Sequence, residues 1–120
     1  MKNIIENNKL IAEFLSIKIH PCETIEKLKF LPIEERGLYN GYFIDELKYH
    51  KDWNWLMPVV EKIESLGYKI DISKWENSQY CGIYLNGKKI ADNETNTKIE
   101  AVYNACIEFI KWSNNQNKDS

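Results

Sequence analysis

Cysteine is scarce in this chain of 120 residues: Cys22, Cys81 and Cys106 are odd in number and far apart, and no C-x-x-C pair occurs. That excludes a disulfide framework, and a reducing cytoplasm is the expected compartment. Charge of one sign is lacking too. Sixteen basic and eighteen acidic residues give a formal net charge of −2, and both halves are balanced, with seven bases and eight acids in residues 1–50 and nine and ten in residues 51–120. No global positive field therefore draws the molecule to a phosphate backbone, so nucleic-acid binding would need a local patch. No apolar run approaches the roughly 18 residues that span a bilayer, and Met1 to Leu15 mixes polar with apolar residues unlike a signal peptide, so a soluble protein without membrane contact is expected. The five glycines are scattered, where turns are expected, and form no phosphate-binding loop.

What is present is enough apolar surface for one core. Hydrophobic residues make up 43% and charged residues 28%, the balance of an ordinary globular domain, so residues 1–120 are expected to form a single domain. Leu10, Ile11, Phe14 and Leu15 recur at helical spacing, with Asn7, Asn8 and Glu13 elsewhere, which predicts a helix over residues 3–16. Residues 17–51 are broken by Pro21, Pro32, Gly37 and Gly41 and read as an irregular insertion. Yet Ile25, Leu28, Phe30, Leu31, Leu38, Tyr39, Tyr42, Phe43, Ile44 and Leu47 are too many large apolar groups to leave in water.

The stretch "DWNWLMPVVEKIESLG" carries the clearest helix. Leu56, Val59, Val60, Ile63 and Leu66 follow its period, Asp52 or Asn54 serves as N-cap, Pro58 sits near the start and Gly67 closes the end. Tyr68, Ile70 and Ile72 then alternate with Lys69, Asp71 and Ser73 as a half-buried strand does. A second strand is expected over residues 79–85, an "NG" turn at Asn86–Gly87, and a short third strand over residues 88–91. After the polar "DNETNT", read as a loop, Ile99, Val102, Tyr103, Cys106, Phe109 and Ile110 predict a helix over residues 98–112, with 114–120 a frayed tail.

The expected fold is therefore α+β, with a three-stranded antiparallel sheet in α-β-β-β-α order over residues 52–113. An N-terminal helix and the insertion are expected to cover the second face, as in an α/β/α sandwich. Tyr68, Ile70, Ile72, Cys81, Ile83 and Leu85 share one face of the sheet, and Trp75, Tyr80 and Tyr84 have the opposite parity.

Catalytic and metal chemistry find little to build on. His20, Cys22, Cys81 and Cys106 lack zinc-ligand spacing, so no metal or cofactor is expected. His50 and Asp52 make a conceivable acid–base pair, but no third group orients them, and the adjacent Glu34 and Glu35 diverge. Asp52 is better used as a helix cap. Trp53 and Trp55, two apart at a helix mouth, cannot both enter the buried stripe, so one is expected in the core and the other at an edge or a partner.

Two resemblances bear on function. The order of elements, closed by "LNGKKIADNETNTKIEAVYNACIEFI", resembles a double-stranded-RNA-binding domain, a family whose last helix opens with phosphate-gripping lysines; Lys98 matches one of these, and with Lys88 and Lys89 it would form the nucleic-acid contact. "NKLIAEFLSIKI", "YHKDWNWLMPVVEKIESLGYKIDI" and "KIEAVYNACIEFIKW" together resemble the small phage and prophage proteins known as the phage ABA sandwich domain family. The Trp53–Trp55–Pro58 cluster is the most specific part of that likeness. It implies a mobile-element origin and brings no activity with it. The resulting expectation is a non-catalytic protein that acts in the bacterial cytoplasm by binding a host protein, for example an anti-CRISPR-like inhibitor of an RNA-guided CRISPR effector nuclease or its RNA complex. Tyr39, Tyr42, Phe43, Trp53 and Trp75 are the expected anchors, because aromatic groups dominate interface energetics.

Overall fold

The computed structural model describes residues 3–15 and 47–118, and the chain divides into two units, Met1–Lys48 and Tyr49–Ser120. The fold is α+β, with helices before and after a three-stranded antiparallel sheet of order β1-β2-β3.

In the first unit, helix α1 spans Asn3–Phe14, two residues shorter than its periodicity predicts. Ile11 and Ala12 are fully buried, while Ile5 is exposed. Asn8, placed on the polar side by pattern, is buried, and its Nδ2 donates to the Leu47 carbonyl at 3.0 Å. A buried carboxamide needs such a partner, and the partner lies 39 residues away, beyond the reach of local pattern.

The second unit begins with helix α2, Trp53–Ser65. Asp52 is extended and caps it, its Oδ1 accepting the Asn54 N–H at 2.9 Å. At the other end Leu66 N–H reaches the Lys62 and Ile63 carbonyls, and Gly67, at φ +101°, turns the chain out in the left-handed region. Pro58 is the sixth helical residue, so the Asn54 carbonyl has no N–H four residues on; Asn54 is exposed, which leaves that carbonyl open to solvent at little cost. Leu56, Val59, Val60 and Ile63 are buried as their spacing requires, each stabilising by roughly 1.5–3 kcal/mol.

Strands β1 (Lys69–Trp75), β2 (Ser78–Leu85) and β3 (Lys88–Thr95) follow. Asn86 and Gly87, at φ 52° and 81°, form the two-residue turn that the "NG" pair predicts, because the right-handed twist of the strands favours positive φ at both positions. β3 runs four residues beyond the expected stop, so "DNET" is strand rather than loop. Its polar groups find partners on the last helix: Asn93 Oδ1 accepts from Asn104 Nδ2 at 3.1 Å, and the Asp92 backbone N–H donates to a Glu108 carboxylate oxygen. A register shift near Ile83 and Tyr84 leaves Ile90 as the extra residue of a bulge.

Helix α3 spans Lys98–Lys118. Thr97 caps it, its Oγ1 accepting the Glu100 N–H at 3.3 Å. The supposed tail, residues 114–118, continues the helix; once nucleated, each further turn costs little even when polar. From Ala101 to Ile110 only Glu108 is exposed and Asn104 half-buried, a wider burial than one stripe predicts. α3 lies on the face of Cys81, Ile83 and Ala91, Tyr68 packs edge-on against Phe109 at 4.7 Å, and α2 contacts α3 and β1.

Candidate partner-binding face

The face of the sheet turned away from α3 follows directly from register. Ser73 pairs with Tyr80 and Tyr80 with Glu94; Asp71 pairs with Gly82 and Gly82 with Asp92; Lys69 pairs with Tyr84 and Tyr84 with Lys89; Trp75 pairs with Ser78. Alternation puts these side chains on one side, Trp75, Tyr80 and Tyr84 among them, as parity predicts.

Their arrangement is more specific than parity alone. The Trp75 and Tyr80 rings stack nearly parallel, 4.5 Å between centroids and 8° between planes. Tyr80 and Tyr84 bend toward each other until their hydroxyl oxygens are 2.7 Å apart. Between them lies Gly82, where an added Cβ would stand 2.6 Å from the Tyr80 hydroxyl and 2.6 Å from a Tyr84 ring carbon. Gly82 is thus not a turn residue but the gap over which two tyrosines close. Burial, and then the bond to Tyr84, push the Tyr80 phenol well above its ordinary pKa, so it remains a neutral hydrogen-bonding group.

Around this row the charges are sorted. Lys89 Nζ pairs with Asp92 at 3.2 Å, and the Ser78 hydroxyl donates to the Glu94 carboxylate. Beyond Tyr84, a cavity of about 480 Å³ is lined by Gly67, Lys69, Asp71, Tyr84, Asn86 and Gly87.

The expected anchors divide. Trp75 is 46% exposed at the end of β1, and Trp53 is 36% exposed in the first turn of α2, with exposed Met57 one turn on. These two tryptophans stand on separate layers, one on α2 and one on the side of the sheet away from α3. Trp55 is the inner member of its pair, edge-on to buried Tyr49 at 5.3 Å. Tyr39, Tyr42 and Phe43, with His20, Cys22, Glu34 and Glu35, lie outside the described residues. Lys88 and Lys89 open β3, and Lys98 opens α3 beyond the other end of that strand.

The chemistry-bearing groups elsewhere are engaged structurally. Burial pushes the Cys81 thiol up to about 12, and Cys106, buried beside it, higher still. His50 is held below its ordinary pKa by burial and by Lys51, and its ring meets Tyr103 edge-on at 6.1 Å. Among the described residues no group of three or more His, Cys, Asp or Glu is placed to hold a metal, and no helix is long and apolar enough to cross a membrane.

Sequence reasoning missed the tyrosine pair, Glu94 and Ser78. Their signal was there: Tyr-x-Gly-x-Tyr in a strand puts two rings on one face with a gap between. No family model, curated protein or solved structure matches the chain.

Proposed function

We propose that this chain is a non-catalytic protein-binding module that engages its partner through the Trp75 face of the sheet. The observation that carries the reading is Trp75 itself. A large aromatic ring, 46% exposed, is held in one orientation by stacking on Tyr80, whose hydroxyl is fixed in turn by Tyr84. Exposure of such a ring costs apolar hydration, and binding recovers it; prior immobilisation means that little side-chain entropy is lost in the complex. The buried, protonated state of Cys81 and Cys106 and the capping role of Asp52 favour binding over covalent or acid–base chemistry.

The resemblance at Trp53, Trp55 and Pro58 supports a phage or prophage origin and action in a bacterial cytoplasm. The specific form we favour is stoichiometric inhibition of a host defence complex such as an RNA-guided nuclease, with Trp53 and the aromatic residues Tyr39, Tyr42 and Phe43 as further contacts.

Affinity capture of the tagged full chain from bacterial lysate, beside the Trp75→Ala variant, tests this. The expected result is one near-stoichiometric protein that survives nuclease treatment and is lost with Trp75→Ala. RNA alone, proteins that vanish with nuclease, or a partner indifferent to Trp75 would overturn it.

A further inference from the structure

Resting on that reading, we infer that the Trp75 end of the sheet face receives an arginine side chain of the partner protein. Trp75 offers a flat indole face whose other side is already stacked on Tyr80. One cross-strand step away, Ser78 holds the Glu94 carboxylate by a hydrogen bond. Glu94 is exposed and has no cation partner among the described residues, whereas Asp92, two residues back, is matched by Lys89. An aromatic plane and an unmatched, oriented carboxylate, linked through Ser78 at one end of the same face, suit a planar cation. A guanidinium stacks on the ring while its N–H groups reach the carboxylate, and its weaker hydration makes it cheaper to desolvate than an ammonium.

The distribution of charge favours the same end. On this face the bases Lys69 and Lys89 both stand beside Tyr84, while Glu94 stands beside Tyr80 and Glu76 follows Trp75 in the turn. The Lys89 ammonium is held by the Asp92 carboxylate at 3.2 Å, so its charge is matched there and not at Glu94. An incoming cation at Trp75 therefore finds Glu76 and Glu94 on its side of the row, with Lys69 and Lys89 at the Tyr84 end and Lys74 turned to the opposite face of β1. Proteins that hold nucleic acid in a positively charged channel present such arginines, so the basic surface of a nucleic-acid-binding protein is the kind of partner this end fits.

The test uses the ¹⁵N-labelled full chain and three capped heptapeptides of glycine and serine that carry arginine, lysine or citrulline at the same three positions, titrated by NMR at low salt. Arginine should shift the Trp75 indole N–H and the Ser78 and Glu94 amides saturably, bind several-fold tighter than lysine, and leave citrulline without a saturable response. Trp75→Ala and Glu94→Gln, both at exposed positions whose folding the same spectra report, should each weaken the arginine peptide by about three- to tenfold, the size of one lost cation–π or charge-assisted contact. Trp75→Phe, which keeps a ring with a weaker face, should fall between. Equal response to arginine and lysine, shifts confined to other residues, or arginine binding undiminished in the variants would sink the inference. A captured partner lost with Trp75→Ala but no arginine preference would defeat the guanidinium site alone. Arginine binding at Trp75 with only RNA in the lysate eluate would instead defeat the protein-binding reading.

Discussion

Replacing Gly82 by alanine is the sharpest test of how the far face is built. In a central strand the change is ordinarily favourable by about 0.5–1 kcal/mol, since glycine loses more backbone freedom on folding. Here the added methyl would stand 2.6 Å from the Tyr80 hydroxyl and 2.6 and 2.7 Å from Tyr84 ring and hydroxyl atoms. Tyr80 cannot retreat, being 7% exposed and stacked on Trp75, so half-buried Tyr84 must swing out toward the cavity it lines. That breaks the 2.7 Å hydroxyl pair, a loss of about 1 kcal/mol, and adds repacking of about 1–3 kcal/mol. Set against the backbone gain, the net expectation is a destabilisation of about 1–3 kcal/mol, read as a lower urea midpoint at unchanged slope. Tyr84→Ala removes two of the three close atoms, so in that background Gly82→Ala should cost less than about 1 kcal/mol. A neutral or stabilising Gly82→Ala in the parent chain, or the same cost in both backgrounds, would refute this account of the glycine.

Two further outcomes follow from local geometry. Asp52→Ala removes the side-chain acceptor of the Asn54 N–H and should lower stability by about 1 kcal/mol in urea melts, with Asp52→Asn recovering most of it; equal loss for both would mean the cap bond is not the cause. In a Cys22→Ser variant at pH 8, Cys81 should be thiolate in only about one molecule in ten thousand and Cys106 less, so neither should react with a thiol reagent until denaturant exposes both. Both folded-state values lie above the ordinary 9.0, so the associated stability is whole below pH 9 and is lost as pH rises toward 12. Rapid labelling of the native variant, or stability that increases over that range, would contradict the buried placement.

The resolved secondary structure was largely legible wherever the signal was short-range. Asp52 and Gly67 bound α2 because capping is decided within four residues, and Asn86–Gly87 fixes a two-residue hairpin because few other pairs accept positive φ at both positions. Alternation alone assigned Cys81 and Ile83 to one face of the sheet and Trp75, Tyr80 and Tyr84 to the other, since the side-chain period of a strand is two. The misjudged places were those where a distant partner overrides local preference. "DNET" reads as loop until Asn104, Lys89 and Ser78 answer its polar groups, and Asn8 reads as surface until the Leu47 carbonyl meets it. The site divides along the same line. That Trp75 shares a face with Tyr80 and Tyr84 followed from parity, but its exposure, its stacking on Tyr80, the tyrosine bridge over Gly82 and the orientation of Glu94 by Ser78 were set by strand register and cross-strand approach. Sequence by itself determined which residues share a face, because dihedral period is a local property of the chain. Only tertiary structure decided which of them touch, because contact depends on pairings between strands that no local preference encodes.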